Sequence, residues 1–364
     1  MTTTVHTTAT AVKAARHARR RASWLTAVLT ATLVLVVLVS LSTGTVHVGP
    51  VDALKIVVGH LVPGMPWMSD GSYTPLQDQV VWQFRLPRTL LAALAGAGLA
   101  LAGTIVQAIV HNPLAEPYIL GVSAGAGLGA VGVIVLGAGA AAPTIGTAAF
   151  LGAVVATVAV YLFARRHGRI VPTRLILSGV ALGSLFSAVT SYLTISTDAQ
   201  NVFGVMFFLL GSVSAATPAH LVLPALAVAV VALWARCRVR ALNALLAGDD
   251  QAISMGVDIR RLRVEALVSS ALLTGSVVAV CGGIGFVGLV VPHIARTVTG
   301  SDHRRMVPAC VAGGAVFLAT ADLLARTVSA PTEVPIGIVT AAVGAPFFLW
   351  LLHRGDTGGA AGAR

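Results

Sequence analysis

The chain has 364 residues, 56% of them hydrophobic and only 10% charged, with a formal net charge of +11. Soluble domains carry roughly 25% charged residues, which excludes a soluble core with one anchor and leaves a single polytopic membrane domain. In a soluble protein the positive balance would point to nucleic acid. Here the cations are placed by membrane topology, and no nucleic-acid partner is expected.

Residues 1–23 are rich in Thr and Ala, end in Arg16, Arg19, Arg20 and Arg21, and read as a disordered cytoplasmic tail. The apolar run Trp24–Val46 is too long for a signal-peptide core and predicts a first spanning helix. Residues 43–84 form an outer loop with Asp52, Lys55, Asp70 and Asp78. Within it, VDALKIVVGHL predicts a short amphipathic helix lying on the membrane surface. Nothing ionisable interrupts Thr89–Val110. At about 1.5 Å per residue, that run crosses a hydrocarbon core of about 30 Å. The hinge HNPLAEP then brings two prolines and a carboxylate, so it cannot continue the helix and must lie where water or protein satisfies it. Gly121, Gly125 and Gly129 recur at every fourth position and predict a smooth face for close helix packing.

Pro117–Ala164 carries no formal charge and predicts two helices, with the break at GAGAAAP, residues 137–143. The loop ARRHGRIVPTR leads to a fifth span over Leu175–Thr197. The punctuated segment 201–218 reads as a short helix or re-entrant piece on the outer side, and Ala219–Ala235 is the sixth span. A polar insertion covers 236–263. The run Ala266–Ala295, broken by CGGIG at 281–285, predicts two helices, the second one short. Met306–Ala325 and Val334–Leu352 complete ten, before a short tail at 355–364. The fold class is therefore all-α, with one transmembrane domain over 24–354 in the plasma or inner membrane.

With a cytoplasmic N-terminus, ten spans place all but four of the 24 Lys and Arg on the inner side, as the positive-inside rule requires. Both termini are then cytoplasmic. The exceptions are Lys55, Arg85, Arg88 and Arg326, and the three arginines sit where span two enters and span nine leaves. Two readings stand for them. One is snorkelling side chains, with Asp322 as a helix-face partner of Arg326. The other is a basic ring that captures an acidic partner through its rigid forks.

The chain has two lysines, Lys13 and Lys55, and neither follows a glycine. A phosphate-cradling GxxxxGK[ST] loop is excluded. There is no HExxH and no paired CxxC, and His47, His60, His111, His293 and His353 read as helix-end or interfacial residues. No metal, cofactor or catalytic group is expected. Cys237, Cys281 and Cys310 are too few and too apolar in setting for a disulfide framework. GVSAG at 121–125 matches GxSxG, but a nucleophile elbow needs a strand–turn–helix setting. An intramembrane serine protease pairing Ser123 with His293 is the enzyme alternative. An ion-coupled secondary transporter is another, and it requires carboxylates or broken helices at midplane, where only Asp322 and Glu265 approach the membrane.

The runs RLPRTLLAAL, HNPLAEPYILGVSAGAG, LAGDDQAISMG, GGIGFVGLVVPHIAR, SDHRRMVPAC and EVPIGIVTAAVGAPFFLWLL together resemble the FecCD-type permeases of bacterial ABC importers for iron-siderophores, haem and cobalamin. The likeness extends from about Trp82 to Leu352. It implies ten spans, a dimer of permeases (homo- or heterodimer), two separate ATPase subunits and an extracytoplasmic binding protein. ATP hydrolysis would belong to the partner, and the chain itself would be no enzyme. The resemblance assigns binding-protein docking to Arg85, Arg88 and Arg326, and a cytoplasmic gate to Asn112, Leu114 and Thr173. Gly121, Ser123, Gly125 and Gly129 would border the pathway or serve packing. Gly248, Asp249, Ala252 and Gly256 fall in the family's ATPase-coupling loop. Leu245, Leu246, Ile253 and Met255 give that loop the mixed character of a partner surface. Ferric siderophore is the expected cargo, with haem and cobalamin as rivals.

Overall fold

The structure, a computed structural model, describes residues 3–137, 142–166, 169–330 and 332–360. Helix α1 (Thr3–Ser42) carries helical backbone through the expected tail and the first span without interruption. No glycine or proline stands before Gly44 to end it. Helix α2 (Pro50–Leu61) starts on a proline and buries Ala53, Ile56 and Gly59 on one face, against Leu41 and Val81. Helix α3 (Pro75–Gln79) opens with a reciprocal Thr74–Gln77 cap and runs through a π-helical turn at Val80–Arg85 into α4 (Leu86–Val110).

Helix α4 is the post of the bundle, with every residue from Ala95 to Val110 buried. Its small residues make that possible. A Cβ on Gly96 would lie 2.0 Å from the carbonyl oxygen of Gly314, and one on Gly103 would lie 1.9 Å from that of Gly288. Helix association in lipid rests on such close backbone approach.

The chain continues through α5 (Val122–Leu136), α6 (Ala142–Ala164), a two-residue antiparallel pairing of β1 (Arg165–Arg166) with β2 (Arg169–Ile170), α7 (Pro172–Ile195) and α8 (Ala199–Leu210). Then follow α9 (Pro218–Cys237), α10 (Val239–Leu245), α11 (Asp249–Ser254), α12 (Ile259–Cys281), α13 (Val287–Thr299), α14 (His303–Thr327) and α15 (Ile336–Ala360). Helices α9, α12, α13 and α14 surround α4, while α5, α6 and α7 pack on one another to the side.

Among the described residues, 7 helices are long and apolar enough to cross a membrane. These are segments of α1, α3–α4, α6, α7, α9, α12 and α14. The expected third, eighth and tenth spans correspond to shorter apolar helices: α5, α13 and Ile336–Leu351 of α15. Helices α5 and α13 are short because irregular backbone at 111–121 and 282–286 takes up chain that a continuous helix would use. The break expected at 137–143 lies mostly outside the described residues. Helix α8, with 12 residues, is the short piece anticipated between the fifth and sixth spans.

Candidate functional site

At one end of the bundle the three arginines exempted from the charge rule meet. Arg88 grips Asp322 with two donors, Nε at 2.9 Å and Nη2 at 2.8 Å from Oδ1, and its Nη1 reaches Glu333 Oε1 at 2.7 Å. Asp322 is buried, while the Glu333 side chain stays 44% exposed. The Gly96–Gly314 crossing sets this register. Arg88 lies eight residues before Gly96 and Asp322 eight after Gly314, so two antiparallel helices bring them level. Arg85 is buried and donates to Leu41 O at 2.7 Å and Val46 O at 2.6 Å. Arg326 donates to Ser40 O at 2.7 Å and to the Ser40 hydroxyl. The expected helix-face pair Asp322–Arg326 is thus replaced. Asp322 serves Arg88, and the Arg326 fork is taken by the last turns of α1.

The hinge follows α4 at the end of that helix far from Arg88. His111 ends that helix in the left-handed conformation, φ 55°. Asn112 Oδ1 accepts the Leu114 amide at 2.9 Å, a side-chain-closed turn. Asn112 and Leu114 are half-buried and Thr173, on the first turn of α7, is exposed. No hydrogen bond joins Thr173 to either among the described residues. The hinge leans on α7 all the same, since a Cβ on Gly179 would lie 2.1 Å from Ile119 O.

The glycine stripe divides. Gly121, with φ +69°, caps α5 and faces Gly179 and Gly183 of α7, so it is not part of a helix face. Gly125 and Gly129 instead admit α6, where added Cβ atoms would lie 2.6 Å from Gly152 O and 2.2 Å from Ala148 O. These two are packing residues. Ser123 is half-buried beside Gly283, His293 sits edge-on to Phe347 with centroids 6.3 Å apart, and no hydrogen bond joins Ser123 to His293 among the described residues.

Two hinge residues that sequence reasoning passed over hold the broken helix. Glu116 Oε1 accepts the Phe286 amide at 2.5 Å, and the Tyr118 hydroxyl accepts the Ile284 amide at 2.8 Å. They satisfy the unwound GGIGF stretch between α12 and α13. Phe286 there adopts φ 69°, a conformation that costs a non-glycine residue on the order of 1 kcal/mol. The available signal was the requirement that every backbone group at membrane depth find a partner. A Gly-Gly-Ile-Gly break needs acceptors, and the hinge carries the one carboxylate in that part of the chain.

At the opposite end, α10 and α11 form a short helical hairpin. Gly248 (φ +103°) turns between them and Gly256 (φ +81°) follows. Leu245 O accepts from His111 Nε2 at 2.8 Å, Asp249 pairs with Arg263 Nη2 at 3.0 Å, and Arg263 Nη1 also donates to Ile170 O at 3.0 Å. Asn243 donates to Asp302 Oδ1 at 2.7 Å and accepts the His303 amide at 2.9 Å. Burial pushes the Asp302 carboxyl up, but the Arg304 and Asn243 donors and the neighbouring arginines outweigh it and hold the group below its ordinary range. Ala252 is fully buried beneath the hairpin, whereas Leu246, Ile253 and Met255 are 48%, 52% and 65% exposed. The hairpin is therefore pinned to α4, α12 and α14 and presents an apolar outer face.

The FecCD transport family matches residues 32–354 of the chain. The chain belongs to that family. This FecCD chain is 39% identical over 303 residues to the vitamin B12 import system permease protein BtuC of Citrobacter koseri, covering 83% of the chain and 91% of that protein. To BtuC of Escherichia coli it is 40% identical over 296 residues, covering 81% and 90%. Among solved structures, an inward-facing metal-chelate type ABC transporter superposes with a TM-score of 0.79 at 31% identity, covering 91% of the FecCD chain and 99% of the other. PsaBC from Streptococcus pneumoniae, at TM-score 0.52 and 18% identity over 75% and 92%, shares the fold. The FecCD chain is a multi-pass inner-membrane protein, and its homologues are permease subunits, not enzymes.

Proposed function

We propose that this chain is the membrane-spanning permease subunit of an ATP-driven importer for a large metal chelate, built as a single domain over 24–354 with ten crossings and both termini in the cytoplasm. The observation that carries the proposal is the α10–α11 hairpin. It is tied by Leu245, Asp249 and Asn243 to three bundle helices and leaves Leu246, Ile253 and Met255 uncovered. A short element hung on glycine turns and pinned at several points moves as a rigid lever. Its bare apolar face fits a separate ATPase subunit, with Gly248, Asp249, Ala252 and Gly256 shaping the contact.

Displacement of this lever is relayed through His111 to the hinge. There Asn112 and Leu114, with Thr173 at the α7 entrance, form the cytoplasmic gate against a second permease chain, homo- or heterodimeric. Glu116 and Tyr118 carry the same movement to the broken helix. Gly121 and Ser123 border the path. The outer rim receives an extracytoplasmic binding protein. Arg85 and Arg326 hold the frame, and an incoming carboxylate exchanges with the half-exposed Glu333 on Arg88.

Ferric siderophore is the family-level expectation for the cargo. A cobalamin reading is favoured by the 39–40% identity to the vitamin B12 permeases. Uptake of labelled cobalamin, ferric siderophores and haem in a deletion strain, with and without the restored gene, tests the function. Loss and rescue of one of these identifies the cargo, and uptake of all of them unchanged by the deletion refutes the proposal.

A further inference from the structure

Beside α1, at the end of the bundle that carries the α10–α11 hairpin, lies an open cavity of about 1400 Å³. One wall is α1 from Ala22 to Val34. The other is the last turn of α9, the start of α10 and the first turns of α14. The walls differ in chemistry. On α1, Ala27, Ala31 and Val34 are exposed, and Ala22 to Val34 rises about 18 Å at 1.5 Å per residue. That is over half of a hydrocarbon core of about 30 Å. On the facing wall Arg236, Arg240 and Arg304 are exposed, and none of their guanidinium groups makes a hydrogen bond or ion pair among the described residues. Arg305 stands beside them, 3.9 Å from Asp302. Asp302, the carboxylate in the lining, is already engaged by Asn243 and the Arg304 amide.

We propose that this cavity holds an anionic phospholipid, its phosphate between Arg236, Arg240 and Arg304 and an acyl chain along Ala27, Ala31 and Val34. Guanidinium forks match phosphate oxygens in pairs, and basic pockets between spanning helices recognise such headgroups. Free phosphate would leave the apolar wall uncovered. A soluble subunit docked at the hairpin could not reach Val34 at its depth in the bilayer. The site depends on membrane insertion alone and not on the transport reading, so it is tested by lipid binding without any uptake assay.

The full-length protein is reconstituted in nanodiscs of phosphatidylcholine with a minority of phosphatidylglycerol, released into mild detergent, and its retained lipid counted by native mass spectrometry. Phosphatidylglycerol is retained over phosphatidylcholine. The double variant Arg236→Gln/Arg304→Gln lowers that retention about 30-fold, at about one headgroup-attraction increment per arginine. Ala31→Trp fills the apolar wall with every arginine in place and abolishes retention. Cys237 lines the same cavity and is exposed, while Cys281 and Cys310 are buried. Its alkylation is therefore slower in phosphatidylglycerol discs than in pure phosphatidylcholine. Equal retention of the two lipids, no loss in the arginine double variant, or full retention in Ala31→Trp overturns the proposal. So does displacement of the lipid by inorganic phosphate, or disulfide-linked permease dimers through Ala31→Cys, which would give the cavity to a second copy.

Discussion

At the Arg88 end of the bundle, Arg85, Arg88 and Arg326 direct their forks at groups of the same chain: the carbonyls ending α1, the buried Asp322, and Ser40. At the hairpin end the arginines divide. Arg263 and Arg238 are held by Asp249 and Glu265, whereas among the described residues Arg236, Arg240 and Arg304 are left open beside an uncovered apolar surface. One end is closed on itself, and the other leaves donors and apolar surface uncovered among the described residues. The contrast explains why cation count alone is a poor guide to binding. An arginine on a helix end contributes to recognition only in proportion to the valence that its own neighbours leave unused.

The comparison breaks most readily at Asp322. Replacing it with Ala leaves the largely buried Arg88 guanidinium with only Glu333, and loss of one partner of a buried pair costs about 3–5 kcal/mol. Thermal unfolding of the detergent-solubilised protein reads this as the largest single loss. A melting temperature unchanged by Asp322→Ala would mean that the rim is not closed by this pair. Charge reversal of Arg88 is a poor test of docking for the same reason, because it sets a carboxylate against Asp322 and Glu333 and disturbs the frame itself.

The opposite behaviour is expected of Met255→Glu at the hairpin. The Met255 side chain is 65% exposed, so stability should stay within about 0.5 kcal/mol of wild type. Retention of the ATPase subunit in co-purification should fall about 30-fold, the scale of a buried apolar anchor lost from an interface. Destabilisation without loss of the partner would reverse the roles assigned to the two ends.

How much of this was legible beforehand follows from which forces leave a mark in one dimension. Hydropathy and charge placement marked the helices, because a helix in lipid must be long, apolar and flanked by cations on one side. The short α8 and α13 were legible for the same reason, through punctuation and the CGGIG break. The pairing of Arg88 with Asp322 was not, since it follows from the antiparallel Gly96–Gly314 crossing, which brings together residues 234 apart in sequence. Periodicity likewise misplaced Gly121. A spacing of four predicts a helix face, but the left-handed turn at 121 starts the helix one residue later. Glu116 and Tyr118 went unnoticed because their partners are backbone amides, which have no letter in the sequence.

A finer test of the rim is Glu333→Gln. With its side chain 44% exposed, the pair with Arg88 contributes under about 1 kcal/mol, so stability should barely move. Affinity for the extracytoplasmic binding protein should rise several-fold, because the carboxylate that competes for Arg88 is gone. A fall in affinity would show that Glu333 itself contacts the partner, and the exchange at Arg88 would have to be abandoned.

The smallest expected effect lies at the joint between the hairpin and α14. The donors around Asp302 hold its carboxyl below the ordinary value of about 4, so the folded state favours the ionised form. The stabilisation is therefore complete above the unfolded-state value and disappears as pH falls through the lower folded-state value. Asp302→Asn removes this titration while keeping an acceptor for Asn243. The melting temperatures of wild type and Asp302→Asn should differ by a constant amount near neutral pH and converge below the ordinary carboxylate range. Curves that stay parallel through that acid window would mean that the Asn243–Asp302 link does not feel the proton, and that the hairpin is held by His111 and Arg263 alone.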